Sequence, residues 1–466
     1  MILPLRQFSQ VRKPRKRAIS RNSSVMDDRA DRLRICFVTL LFPPSVGGAQ
    51  VQAERQAQQL RSLGHDVMIV TLRLKRQWKR KTLLHGLPVV RIGGVYKLDG
   101  TLRIGRLGIW PASIGVFLAL WRRRHSYDVI HTFQVSPLAA AVALIARLTH
   151  KPVVIRIMAV GPTGEKNFQP EPRAVTADTS SDRSSLQIDP LKVEGVHGDI
   201  GDMLRNTLGG GKLLNFLLKS DSYYQALSSR SIFYLSSWGI PLERIVYIPG
   251  SVDTEKFRPA PELRPDPSKS ERMIACVARL EYEKGIDVLL HGWGRMISTC
   301  YERQMPLVPK LRLIGDGTLR PQFERMAAEL KISDSVEFLG LRSDVVDLLQ
   351  QSWGFVLPSR NEGMPNALLE AMACGLPCIA TRVSGSEDII SDDFNGILVE
   401  SEQPVQMADA LRRLIGDAEL AQRLGREARV TVVREHQLAQ MAERCLAFYH
   451  QILAENYNGC ELSRNS

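Results

Sequence analysis

Two glutamates, Glu362 and Glu370, stand eight residues apart in the run Ser359-Arg360-Asn361-Glu362-Gly363-Met364-Pro365-Asn366-Ala367-Leu368-Leu369-Glu370. Gly363 and Pro365 shape a loop. From Asn366 the apolar positions Leu368, Leu369 and Met372 recur at helical spacing, which predicts a helix with Asn366 as its N-cap. Glu362 then lies in the loop, and Glu370 a little over one turn into the helix. Each carboxylate can accept two hydroxyl protons at once, and the N–H groups at a helix start can bond hydroxyls or an anion. The pattern suits a polyhydroxylated ligand such as a sugar ring joined to a ribose. An acidic helix start that only complements the macrodipole is the plainer alternative.

A second constellation, Val277-Ala278-Arg279-Leu280-Glu281-Tyr282-Glu283-Lys284-Gly285, sets two cations after an apolar run, with Gly285 expected to open a helix. Paired cations beside a helix start suit a diphosphate, each charge-assisted bond contributing about 1.5–3 kcal/mol. They would stabilise departing phosphate oxygens without a metal. An exposed basic loop is the competing reading. Gly47-Gly48 falls between the apolar run Leu33 to Leu40 and a helix expected over Ala49 to Leu63, closed by Gly64. His131 follows Asp128-Val129-Ile130 at a strand's carboxyl end, where it would face a cleft; a structural histidine fits that place equally well.

These residues need strands to position them. Trp353 to Leu357 reads as a buried strand ended by Pro358. The strand, glycine loop and helix that begin at Leu33, followed by Val67 to Leu72, form a β-loop-α-β unit and imply a parallel sheet with its ligand site at the loop. Val129-Ile130 and Val153 to Met158 add strands around an Ala-rich helix. A second lobe is expected after Ile245-Val246-Tyr247-Ile248-Pro249 and the connector Pro259 to Pro267. Its strands begin at Met273, Leu311, Val336, Gly354 and Pro377. The expected fold is α/β, with two Rossmann-like domains facing a central cleft. We place a basic disordered arm at 1–31, the first domain at 32–245 with a mobile insertion at 163–198, the second domain at 246–425, and a helical tail at 426–466.

A chain of 466 residues with 44% hydrophobic content is long enough for two or three domains with sizeable cores. Its seven scattered cysteines argue against a disulfide framework and for a reducing compartment. Cys374 and Cys378 have no second ligand pair and read as packing residues. The longest apolar runs, Ile109 to Trp121 and Phe133 to Leu148, are short or broken, so a cytoplasmic protein is expected. The net charge of +13 is concentrated in the first residues (Arg6, Arg12, Lys13, Arg15, Lys16, Arg17, Arg21), at Arg73 to Lys81 and at Arg122-Arg123-Arg124. Such clusters suit peripheral attachment to an anionic membrane surface. No nucleic-acid recognition motif accompanies them.

Other patterns fail on their details. Gly209-Gly210-Gly211-Lys212 looks like a phosphate loop, but Leu213 stands where Ser or Thr is needed and Asn206 where the first Gly is needed. No Asp-x-Asp metal signature is evident and the histidines lack zinc spacing, so no metal is expected. His65, after a helix-ending glycine, reads as structural. Gly315-Asp316-Gly317 reads as a turn with a supporting role.

The Glu362–Glu370 segment resembles the Glu-x7-Glu signature of the retaining, GT-B fold glycosyltransferases of the large family 4, the glycogen synthase and sucrose synthase clan. The resemblance implies that Glu370 binds the ribose hydroxyls of a nucleotide-sugar and that Glu362 lies beside the donor sugar. It gives the backbone from Gly363 through Met364 and Pro365 to Asn366 the sugar hydroxyls, with Leu369 also on the donor side. By the same match, Arg279 and Lys284 hold the diphosphate, and the amides of Gly47 and Gly48 approach the donor phosphate and acceptor. Many relatives carry His-x-His where this chain has His131 and Phe133, and Asn where it has Gly250. The implied activity is retaining, metal-independent sugar transfer from a nucleoside diphosphate, with no further cofactor. A lipid-linked or polysaccharide acceptor is expected. A GT-B isomerase or phosphorylase, or a non-catalytic nucleotide-sugar-binding subunit of a glycan-assembly complex, would reuse the same fold.

Overall fold

Apolar, β-prone runs become the inner strands of two parallel sheets, and the helical runs between them cover the sheet faces. The computed structural model describes residues 32–45, 47–97, 102, 109–133, 137–157, 216–219, 222–260, 262, 272–302 and 308–462. The arm expected over 1–31, the insertion expected over 163–198 and the glycine run at 209–212 lie outside the described residues.

The chain divides into two units, Met1–Pro249 with Met441–Ser466, and Gly250–Gln440. In the first, β1 (Arg34–Thr39), α1 (Gly48–Ser62) and β2 (Asp66–Leu72) form the expected opening unit. The hairpin β3 (Lys81–Leu84) and β4 (Leu87–Ile92) follows, then α2 (Ile109–Arg122), β5 (Val129–Phe133), α3 (Pro137–Thr149) and β6 (Val153–Arg156). β7 (Ser222–Ala226), α4 (Ser229–Ser237) and β8 (Ile245–Tyr247) complete it. Among the described residues the sheet order is β3-β4-β2-β1-β5-β6-β7-β8, parallel except for the β3–β4 hairpin. The inner strands carry residues buried on both faces, as parallel sheets covered by helices require. Cys36, Val38, Val70, Ile130 and Ile155 from the strands meet Val116 and Leu120 of α2 and Val142 and Ile145 of α3 in one core.

The second unit begins later than the expected 246, because Ile245–Tyr247 pairs in parallel with β7 and so belongs to the first sheet. β9 (Met273–Val277) leads to α5 (Ile286–Glu302), β10 (Lys310–Ile314), α6 (Arg320–Glu329), β11 (Val336–Gly340) and α7 (Val345–Gln350). β12 (Gly354–Leu357), α8 (Asn366–Ala373), β13 (Cys378–Thr381), α9 (Ser386–Ile389) and β14 (Ile397–Val399) come next. The parallel order is β11-β10-β9-β12-β13-β14. Successive strands step outward one way from β9 and the other way from β12, so the topology reverses between these two neighbours. Ligands of open α/β sheets bind at the carboxyl ends of the strands at such a switch point.

Two long helices, α10 (Pro404–Gly416) and α11 (Ala418–Glu435), close the second unit, and α12 (Leu438–Leu462) follows. The returning segment starts at Met441 and not at 426, because α11 packs on α8. Its Ala428 and Val432 are buried with Leu368 and Met372 in the second unit's core. Cys445, Phe448, Tyr449 and Ile452 of α12 are buried in the first unit. Burying a side chain of Phe or Ile size contributes about 1.5–3 kcal/mol, so these four fasten the tail. Cys374 and Cys378 are packed in the core, and the Cys378 thiol donates to the Leu376 carbonyl. Among the described residues no helix is long and apolar enough to cross a membrane.

Candidate functional site

In the second unit, both chemistry-bearing loops leave the two strands of the switch point. The loop after β9 is shaped by its own turn and by the neighbouring loop. The Ala278 N–H donates to the Ile314 carbonyl and the Leu280 N–H to the Asp316 carbonyl, both at 3.0 Å. The Gly315-Asp316-Gly317 turn therefore supports the segment that carries Arg279. The Glu281 carboxylate accepts the Thr318 N–H at 2.9 Å and its hydroxyl at 2.7 Å, and these bonds hold its pKa below the ordinary value. Tyr282–Lys284 forms a 3-10 turn, which Gly285 ends at φ 61°. The helix itself starts at Ile286, one residue later than expected. A Cβ at Gly285 would lie 2.1 Å from the Pro358 carbonyl oxygen, so the left-handed backbone and the close approach to β12's end both require glycine.

The loop after β12 meets this turn directly. Lys284 Nζ donates to Glu362 Oε1 at 2.5 Å, and Ser359 Oγ donates to the same oxygen at 2.7 Å. The pair is largely buried, with side chains 18% and 11% exposed. The sequence stretches carrying Lys284 and Glu362 are 78 residues apart, and the fold brings the expected phosphate cation to the expected sugar carboxylate. Arg279 is exposed on the same loop as Lys284; its carbonyl accepts the Glu281 N–H at 2.9 Å, and its charge helps to hold the Glu281 pKa down.

Arg360 ties the two loops together. Its guanidinium donates to both Asp287 oxygens at 2.8 and 2.7 Å and to the Tyr282 carbonyl at 2.7 Å, and it also pairs with Glu402. It lies over the Tyr282 ring, 4.1 Å from the centroid, while its backbone N–H donates to Glu283 at 2.9 Å. Burial pulls the arginine's pKa down, but the Asp287 and Glu402 bonds overcome that, and the net direction is upward.

Pro365, not Asn366, occupies the cap position of α8, and Asn366 is the first helical residue. A proline just before or inside a helix start loses no intrahelical bond, because the first N–H groups have no partner in the helix. Glu370 is half-buried on α8. Leu369 is not where the donor-side expectation put it. Its side chain is fully buried in the core and its N–H donates to the Pro365 carbonyl at 3.2 Å. The loop's path is fixed from outside by Gly385, at φ 82°, where a Cβ would lie 2.7 Å from the Gly363 oxygen and 2.9 Å from Pro365 Cδ. Gly250 backs Met364, whose Cγ would be 2.4 Å from a Cβ there, so the glycine standing where relatives often have Asn makes room for this methionine.

In the first unit, Gly47 caps α1 and Gly48 opens it, at the carboxyl edge of β1. β1 and β5 are neighbours at that sheet's own switch point, as the order shows. His131 on β5 is not the cleft-facing residue expected. It is 1% exposed, its Nδ1 lies 2.6 Å from the Tyr449 hydroxyl, and its ring stacks on Phe133 at 4.8 Å. Burial, with the nearby Arg156 charge, lowers its pKa to about 3, so the ring is neutral near pH 7. Phe133 is itself buried, with the Arg156 guanidinium 5.3 Å from its ring centroid. The residues that sequence reasoning missed are Ser359, Arg360 and Gly385. The first two stand three and two residues before Glu362, and only that nearness hinted at them.

Two doubly wound units, each with a loop-bearing switch point, define a GT-B fold. Residues 261–431 match the family described as "Glycosyl transferases group 1" and residues 47–185 the one described as "Glycosyl transferase 4-like domain". The chain belongs to the family 4 glycosyltransferases. It is 30% identical over 192 residues to the N-acetyl-alpha-D-glucosaminyl L-malate synthase of Bacillus anthracis, covering 41% of this chain and 49% of that protein. It is 30% identical over 183 residues to the UDP-Gal:alpha-D-GlcNAc-diphosphoundecaprenol alpha-1,3-galactosyltransferase of Escherichia coli, covering 37% and 46%. The matched segments span about half the length of these curated relatives. The sucrose-phosphate synthase of Thermosynechococcus elongatus shares the fold at TM-score 0.68 and 17% identity, over 91% of this chain and 100% of that one.

Proposed function

We propose that the protein is a retaining glycosyltransferase that moves a sugar from a nucleoside diphosphate to the hydroxyl of a lipid-linked or polysaccharide acceptor. The bond between Lys284 and Glu362 at the second unit's switch point carries this reading. A cation for the diphosphate and a carboxylate for the sugar sit within one hydrogen bond of each other, as the two halves of a nucleotide-sugar require. Arg279 and Lys284 bind the diphosphate, Glu370 the ribose, and Glu362 with the Gly363–Asn366 backbone the donor sugar. The C1–O bond to the β-phosphate breaks, and its electron pair leaves with the nucleoside diphosphate. The acceptor oxygen bonds C1 on the same face, and its proton passes to the leaving phosphate oxygen. The two cations meet the growing phosphate charge, so no metal is needed.

The name of one relative supports the donor and acceptor classes, since it takes UDP-Gal and a diphosphoundecaprenol-linked sugar, whereas the other makes a glycoside of malate, a small-molecule acceptor. A lipid-linked acceptor places the enzyme at the inner face of a membrane as a peripheral protein. The buried His131 favours one alternative, a subunit that binds donor without turning it over.

The test is binding and slow hydrolysis of UDP-, GDP-, ADP- and dTDP-sugars by the purified chain and by Glu370→Ala and Glu362→Ala. We expect one donor class to bind and hydrolyse, and Glu370→Ala to weaken binding about 10- to 100-fold through lost charge-assisted bonds. Unchanged affinity in Glu370→Ala would remove the ribose assignment. Binding without turnover, indifferent to Glu362→Ala, would favour the non-catalytic subunit.

A further inference from the structure

The α2–α3 layer of the first unit carries an apolar stripe on its outer face. Ile114, Leu118 and Trp121 of α2 are 59%, 42% and 39% exposed, and Leu144 and Leu148 of α3 are 37% and 52% exposed. The spacing of the α2 residues follows one helix face, and the opposite face supplies Val116 and Leu120 to the core. The two helices pack side by side, so their outer faces form one surface. An exposed apolar group of this size on an otherwise well-packed unit marks an interaction surface.

Its charge is of one sign. Residues 109–127 and 137–151 contain no Asp or Glu, and Arg122, Arg123, Arg124 and Arg147 gather at the C-terminal ends of the two helices. Arg124 lies 5.0 Å from the Trp121 ring centroid, and Trp121 stacks on Phe117. Arg147 lies 5.4 Å from the ring of Phe216, which is 56% exposed. In both pairs the guanidinium itself lies over the aromatic ring, which sets the charge at the rim of the apolar patch. A tryptophan at that rim suits the boundary between headgroups and acyl chains.

We propose that the α2–α3 face seats the first unit on an anionic lipid surface. Ile114, Leu118, Trp121, Leu144 and Leu148 enter the headgroup boundary, and Arg122, Arg124 and Arg147 meet lipid phosphates. An acid-free rim around an apolar centre is complementary to an anionic bilayer, and amphipathic helices bind there through buried apolar area plus charge. This rests on the proposed lipid-linked acceptor for its purpose, but not for its physics.

The test is flotation of the full chain with phosphatidylcholine vesicles and with phosphatidylglycerol-containing vesicles at low and high salt. Wild type is expected to float with the anionic vesicles only, and less at high salt. Each basic residue near such a surface contributes about a factor of five, so Arg122→Gln/Arg124→Gln/Arg147→Gln should lower partitioning on the order of 100-fold. Leu118→Glu/Leu144→Glu, with all arginines kept, should lower it at least about tenfold. Both variants should keep the wild-type urea midpoint and the vesicle-free donor hydrolysis, since neither touches the second unit's loops. Absence of wild-type binding would overturn the proposal, and so would variants that float as wild type does, because the cations of the first residues would then carry the attachment. Loss of donor turnover in wild type would instead count against the transferase reading and leave the vesicle result standing.

Discussion

Replacing Arg360 by alanine removes the fork that joins the loop after β9 to the loop after β12. The guanidinium is 12% exposed, its partner Asp287 30% and Glu402 54%. The exposed Glu402 pair contributes about 0–1 kcal/mol. The two bonds to Asp287 and the one to the Tyr282 carbonyl are better protected. Breaking a fully buried pair costs about 3–5 kcal/mol. Asp287 keeps partial access to water, which brings the expected loss in unfolding free energy to about 2–3 kcal/mol. The catalytic effect comes from position. A shift of about 1 Å between Lys284 and Glu362 is enough to cost about 100-fold in turnover, so Arg360→Ala should lower kcat by about 10- to 100-fold. Arg360→Lys restores the charge but not the planar fork, and should recover stability more than turnover.

The pH profile gives a separate readout. Burial pushes the Asp287 carboxyl up, but the Arg360 bonds overcome it and hold the pKa below the ordinary value. A carboxylate depressed in the folded state adds stability above its unfolded pKa of about 3.9, and that stability is lost as pH falls through the folded value. Without Arg360 the upward push of burial is opposed only by the Asp287 and Val288 backbone N–H bonds, so in the alanine variant the stability that Asp287 adds, and that acidification removes, is smaller. Urea midpoints across this range, beside donor kinetics, check both points. Arg360→Ala with turnover within about twofold of wild type would refute the idea that this arginine sets the geometry of the loops.

Two further perturbations probe the neighbours of the site. His131 is held neutral with a pKa of about 3 against an ordinary 6.5, so the stability it lends is fully present above about 6.5 and is lost as pH falls toward the folded value. Going from about pH 7 to pH 5 should cost about 2 kcal/mol by urea unfolding, and His131→Asn should flatten that slope; an unchanged slope would mean the ring does not titrate as its burial requires. Gly250→Ala should displace Met364 and raise the donor KM severalfold, and the pair with Met364→Ala should recover it; wild-type KM in Gly250→Ala would free Met364 of any part in holding the donor loop.

Most inner strands were legible from apolar runs, because a strand buried on both faces needs β-prone apolar residues along its whole length. Unit boundaries were less so. Ile245–Tyr247 is apolar in either assignment, and only its pairing with Ser222–Ala226 places it in the first sheet. The boundary of the tail was missed for a similar reason: α11 and α12 are both amphipathic helices, and what separates them is which core receives their apolar face. Asn366 looked like a cap because caps favour Asn. The cap fell one residue earlier because Pro365 already had the fixed φ a helix start tolerates.

The candidate site shows the same division in its chemistry. Lys284 and Glu362 could be singled out because charged residues beside glycines at strand ends stand out in the sequence, and the fold joins the two by one hydrogen bond. Arg360 looked like one more charge in the motif, and its role depends on Asp287, 73 residues away. His131 was misplaced because the pattern that puts a residue at a strand's carboxyl end says nothing of what later covers it. Tyr449, 318 residues on, takes its Nδ1, and Phe133 takes its face. Local spacing thus singles out candidate groups for a ligand, whereas the groups that hold them in place, and those that bury a candidate out of reach, come from distant segments. The second unit, whose loops follow directly from its own strands, was therefore read more truly than the first, where a helix from the far end of the chain completes the packing.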